Sequence, residues 1–135
     1  MPTILIVDDE HDLLIAFKAV LHHAGYDVFT ASPATTALQV LETKRPDLVL
    51  LDIKLGNMDQ NDGLDLLQQM RERVPQLKVV VVSAYLDLVT RQAALDGGAL
   101  DCWPKPVTMQ RLRDGTAEAL EPADRSPGIP SPSTE

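Results

Sequence analysis

Three stretches of this chain are apolar without a break, and each runs into a residue with an oxygen to offer. After Thr3, Ile4-Leu5-Ile6-Val7 leads into Asp8-Asp9, Leu48-Val49-Leu50-Leu51 leads into Asp52, and after Lys78, Val79-Val80-Val81-Val82 leads into Ser83. A strand with one wet face alternates apolar and polar residues. A run that is apolar at every position must be covered on both faces, which is the pattern of a parallel sheet packed between helices.

The intervening segments supply those helices. From about Glu10 to Ala24 the apolar residues Leu13, Leu14, Phe17, Leu21 and Ala24 fall on one helical face, and Gly25 stands where a C-terminal cap is expected. Tyr26 to Ala31 alternates and reads as a more exposed strand. Ser32-Pro33 predicts a helix start, with a hydroxyl to cap and a proline where no N–H is needed. That helix runs to about Lys44-Arg45, before Pro46. A polar loop from Lys54 to Asp62 precedes a helix from Gly63 to about Arg73. Another helix is expected from about Asp87 to Asp96, closing at Gly97-Gly98. Leu100 to Trp103 reads as a weaker fifth strand, and Met109 to Leu120 as the last helix. Strands and helices in alternation predict a doubly wound α/β sandwich, a five-stranded parallel sheet with helices on both faces.

Residues 1–121 are expected to form this domain. From Pro122 to Glu135 the composition turns to Pro, Ser and charge, which predicts a flexible tail or linker. The chain has 135 residues, 44% of them hydrophobic and only 4% aromatic, so its core is aliphatic. A net charge of −8 argues against direct contact with nucleic acid or anionic membranes. Cys102 is the only cysteine, so no internal disulfide forms. The first residues lack the pattern of a signal peptide, and no apolar run approaches the roughly 20 residues that span a bilayer. The expectation is a cytoplasmic protein.

In open α/β sheets, ligands bind beyond the carboxyl ends of the strands. Those ends carry Asp8-Asp9, Asp52, Ser83 and, after the fifth strand, Lys105. Two carboxylates about 4 Å apart repel by roughly 1 kcal/mol in water and about 4 at an effective dielectric of 20, so the cluster calls for a cation. Oxygen ligands with room for water suit Mg²⁺. A carboxylate beside such a cation can act as a nucleophile and form an aspartyl phosphate.

The stretches Ile6-Val7-Asp8-Asp9-Glu10, Leu51-Asp52-Ile53, Val82-Ser83-Ala84 and Lys105-Pro106 together resemble the bacterial response-regulator receiver family, over about residues 3 to 120. The resemblance implies a flavodoxin-like sheet of strand order 2-1-3-4-5. Asp52 would accept a phosphoryl group. Asp9 would bind Mg²⁺ directly, Asp8 would help through water, and the backbone carbonyl of Lys54 would be a further ligand. Ser83 and Lys105 would contact the phosphoryl group, with a cis Lys105–Pro106 bond. The donor would be a phosphohistidine on a sensor histidine kinase or phosphotransfer protein. Partner contacts would form on the face between about Asp87 and Leu120. The chain would act as a regulatory domain of a two-component phosphorelay that promotes its own phosphorylation and dephosphorylation.

Some features depart from the family pattern. The loop 55–63 carries about three extra residues, read as a tolerated insertion. Cys102 stands where many members carry Tyr or Phe, and reads as a small buried hydrophobe. Trp103 faces the other side of its strand. Pro104 predicts a rigid corner and a shortened strand. Lys54 and Tyr85 flank the site, and the Tyr85 ring is expected to shield a phosphoryl group from water. His11 reads as exposed, while His22 and His23 stand at the end of their helix, where cationic groups favour its dipole, and being adjacent they make a poor metal pair. A flavin-binding electron carrier is disfavoured, because Asp8-Asp9-Glu10 would repel its phosphate. A haloacid-dehalogenase-type phosphatase needs Asp-x-Asp on its first strand. A degenerate receiver that only docks is the alternative within the family.

Overall fold

Every apolar run becomes a strand. The computed structural model describes residues 1–31, 34–53, 60–84 and 86–121. Strands β1 (Thr3–Val7), β2 (Asp27–Ala31), β3 (Leu48–Leu51), β4 (Lys78–Ser83) and β5 (Asp101–Pro104) form one parallel sheet of order β2-β1-β3-β4-β5. Between and after them lie helices α1 (His11–His23), α2 (Ala34–Lys44), α3 (Gln60–Arg73), α4 (Leu88–Asp96) and α5 (Met109–Ala119). The expected doubly wound architecture is the observed one.

Because strand side chains alternate, each strand feeds two cores. Leu5, Val7, Val49, Leu51, Val81 and Cys102 meet α2, α3 and α4 through residues such as Leu41, Leu67 and Ala94. Ile4, Ile6, Leu50, Val80, Val82 and Trp103 meet α1 and α5 through Phe17, Leu21 and Leu112. This arrangement explains why β1 and β3 are apolar at nearly every position. Burying one Leu or Ile side chain contributes roughly 1.5–3 kcal/mol.

The boundaries follow from local chemistry. Gly25 adopts φ 103°, as its expected capping role requires, and so does Gly98 after α4. Ala24, placed on the buried face of α1, is exposed, because the helix ends at His23 and the chain is already turning. Asp87 caps α4 by accepting from the Thr90 N–H at 2.7 Å, which holds its carboxyl below the usual range. Thr108 caps α5 through the Arg111 N–H. The predicted cap at Ser32-Pro33, the loop residues 54–59, Tyr85 and the segment 122–135 lie outside the described residues. Helix α3 begins at Gln60 rather than Gly63, and β5 extends through Pro104.

Cys102 is buried, as expected, and its thiol pKa is pushed up by that burial. Trp103, also buried, packs against α5. Its indole Nε1 donates to Asp101 at 3.2 Å, and the Arg111 guanidinium lies 5.0 Å above the ring. A Cβ added at Gly115 would land on the edge of that indole. Gly115→Ala is therefore expected to destabilise the domain by about 1–3 kcal/mol through overpacking. Urea unfolding followed by the fluorescence of Trp103, the only tryptophan, would measure it; an unchanged midpoint would mean the ring has room to retreat.

Candidate functional site

The sheet delivers the predicted residues to one end. Asp8 and Asp9 follow β1, Asp52 follows β3, Ser83 closes β4, and Lys105 follows β5. Register makes them neighbours. The Asp8 N–H donates to the Ala31 carbonyl and the Asp52 N–H to the Val7 carbonyl, so the ladder continues just past the strand ends. The Lys105 N–H donates to the Ser83 carbonyl at 2.9 Å, tying the β5–α5 corner to the end of β4. The Lys105–Pro106 bond is cis, as the resemblance implied.

Asp8, Asp52 and Ser83 are buried, at 2%, 6% and 0% exposure, while Asp9 is open to solvent. The three aspartates each place a carboxylate oxygen within 4.8 Å of the others. Lys105 is the counter-ion. Its Nζ donates to Asp8 Oδ2 at 2.8 Å, Asp52 Oδ2 at 3.1 Å and Glu10 Oε1 at 2.7 Å. Burial works against the charge on Lys105, but these carboxylates outweigh it and hold its pKa above the ordinary lysine value. Burial is also the largest influence on Asp8 and pushes its carboxyl up, against the opposing pull of Lys105 and of the Glu10 N–H.

Of the residues singled out from the sequence, Asp8, Asp9, Asp52, Ser83 and Lys105 are brought together. Lys54 and Tyr85 lie outside the described residues. Glu10 belongs to the site as well, and no role was read for it. The signal available was the third acid in succession after β1. His11 is exposed, as expected, and so are His22 and His23 in the last turn of α1.

The sequence profile of the response regulator receiver domain matches residues 4–117. The chain belongs to that family. Sporulation initiation phosphotransferase F of Bacillus subtilis is 35% identical over 117 residues, which are 87% of this chain and 92% of that protein. The alginate biosynthesis transcriptional regulatory protein AlgB of Pseudomonas putida is 41% identical over 118 residues, again 87% of this chain but only 26% of that regulator. The chain thus spans about a quarter of the length of the AlgB proteins it matches. Among solved structures, the CheY-like receiver domain from Methanospirillum hungatei superposes with a TM-score of 0.82 at 33% identity, covering 89% of this chain and 94% of that one.

Receiver domains are phosphorylation-linked switches of two-component signalling, and they use Mg²⁺ at an acidic pocket. The donor set of this receiver domain fits that ion. It is made of hard carboxylate oxygens gathered at one point, with Asp9 exposed so that water can complete the coordination. No helix among the described residues is long and apolar enough to cross a membrane.

Proposed function

We propose that this receiver domain takes a phosphoryl group on Asp52 from a phosphohistidine of a sensor histidine kinase or histidine phosphotransfer protein, in the cytoplasm. The supporting observation is that Asp8, Asp9 and Asp52 converge within 4.8 Å while a single half-buried lysine bridges Asp8 and Asp52. Asp8, Asp9, Asp52 and the backbone carbonyl of Lys54 are the proposed Mg²⁺ ligands. The ion supplies neutralisation of the charge that builds on the transferring phosphoryl oxygens. An Asp52 carboxylate oxygen forms the new bond to phosphorus. The phosphorus–nitrogen bond to the donor imidazole breaks, and its electron pair stays on that nitrogen. Lys105 stabilises the phosphoryl oxygens as a fixed cation, and the Ser83 hydroxyl donates to one of them. The same residues promote the later attack of water on the aspartyl phosphate.

Access supports this reading. An open groove lined by Leu13, Phe17, Ala84, Lys105, Pro106 and Val107 borders the site and offers apolar footing to a helical donor. On the α4–β5–α5 side, Leu88, Val89, Leu95, Leu100 and Met109 are exposed, a surface suited to a partner whose binding changes with phosphorylation. Residues 1–121 are the proposed receiver unit, with 122–135 as a tail or linker.

The test uses acetyl phosphate as a small donor. With Mg²⁺ the chain should gain one phosphoryl group by intact mass, and with EDTA none. Borohydride reduction followed by peptide mapping should place the acyl phosphate at Asp52. Mg²⁺ binding without labelling, by acetyl phosphate or by a phosphorylated histidine protein, would instead favour a receiver that acts by docking alone.

A further inference from the structure

Glu10 occupies the N-cap position of α1 but makes no capping hydrogen bond with its side chain. The side chain instead crosses to the β5–α5 corner and takes a donor of Lys105, at 2.7 Å, the shortest of the three contacts. A lysine ammonium has three N–H groups and no more. Asp8, Asp52 and Glu10 therefore account for all of them. The first two partners are buried, whereas the Glu10 side chain is 61% exposed. Glu10 and Lys105 line the same open groove beside the site.

A phosphodonor entering by that groove meets a carboxylate before it meets the lysine. From this geometry we propose that Glu10 is an electrostatic gate, a specificity-determining residue that selects phosphodonors by their charge. It holds one Lys105 donor until the phosphoryl group displaces it, and it repels anionic donors in proportion to their net charge. Asp8 and Asp52 keep Lys105 in place without it, so Glu10 is not needed to position the lysine. The inference rests on the phosphoacceptor reading given above.

Two small donors separate charge from everything else. Near neutral pH acetyl phosphate is a dianion and phosphoramidate a monoanion. With acetyl phosphate, an Asp52 oxygen bonds to phosphorus, the phosphorus–oxygen bond breaks and acetate departs with the electron pair. With phosphoramidate, whose nitrogen already carries its proton, the phosphorus–nitrogen bond breaks and ammonia departs. The nucleophile and the accepted group are the same in both.

Glu10→Gln keeps the shape and the accepting oxygen and removes the charge. At low salt and saturating Mg²⁺ its second-order labelling rate should rise roughly tenfold with acetyl phosphate. With phosphoramidate the rise should be only roughly threefold, as one charge about 6 Å away in a water-like dielectric requires. The gap between the donors should close at high salt. Mg²⁺ affinity, read by calorimetry, should move the opposite way and weaken by up to about tenfold. Glu10→Ala should behave like Glu10→Gln, with melting curves to show that both stay folded. Equal changes for the two donors, or none, would overturn the gate while leaving Asp52 as acceptor. Failure of the unaltered chain to label with either donor would overturn the phosphoacceptor reading itself, and the gate with it.

Discussion

Lys105→Met is expected to lower the unfolding free energy by about 3 kcal/mol at neutral pH in EDTA. Methionine matches the length of the lysine stem, so packing changes little and the loss is electrostatic. The Lys105 side chain is 12% exposed, and its partners Asp8 and Asp52 are 3% and 8% exposed. Removing the cation leaves two buried carboxylates facing each other, which costs far more than breaking a surface pair. The pH dependence has a definite sign. The carboxylates raise the folded-state pKa of Lys105 above its unfolded value. Its stabilisation is therefore complete below the unfolded lysine value of about 10.4 and fades only as pH rises through the higher folded value. In the variant the cluster is relieved by taking up protons, so its deficit should narrow as pH falls toward the carboxylate range near about 4. Mg²⁺ should restore part of the loss at neutral pH. Urea titrations across pH, with and without Mg²⁺, would measure all of this. A deficit independent of pH would show that Lys105 stabilises by packing rather than as counter-ion.

Gly63→Ala should be as damaging for a different reason. Alanine normally gains about 1 kcal/mol over glycine inside a helix. At Gly63 of α3 an added Cβ would land on the backbone carbonyl of Ile53. That neighbour is backbone, not the far end of a flexible side chain. Ile53 is fully buried among Leu66, Leu67 and their neighbours, and it directly follows Asp52. The steric term wins, with an expected net loss of about 3 kcal/mol. Relief by shifting Ile53 would also displace Asp52, so the variant should label more slowly than its stability alone explains. Denaturation midpoints paired with labelling rates would test both. A gain in stability, as for an ordinary helical glycine, would show that the close approach to Ile53 does not exist in solution.

The sheet was legible because its strands are buried on both faces, and runs such as Ile4 to Val7 have few other uses. The site was legible because topology places the ends of β1, β3, β4 and β5 side by side, so Asp8, Asp52, Ser83 and Lys105 needed no knowledge of distances. Polar Gln60, Asn61 and Asp62 hid the first turn of α3, where the sequence shows no apolar periodicity. Pro104 argued for an early end to β5. Yet among the described residues β5 pairs only with β4, and an edge strand tolerates a missing N–H. Glu10 and Lys105 are 95 residues apart, and no local rule connects an N-cap acid to a corner lysine.

Cys102 and Trp103 put very different volumes on the two sides of the edge strand, and this makes the flanking helices mechanically unequal. Helix α5 buries Leu112, Gly115, Thr116 and Ala119, with the indole seated against Gly115. Helix α4 buries only Thr90 and Ala94 beside the Cys102 thiol, and its Arg91 donates to the Cys102 carbonyl at 3.0 Å. The helix with fewer buried side chains is the cheaper one to displace. Packed this way, α5 is the fixed post and α4 the looser lever, the element expected to yield first to strain arising at the strand ends.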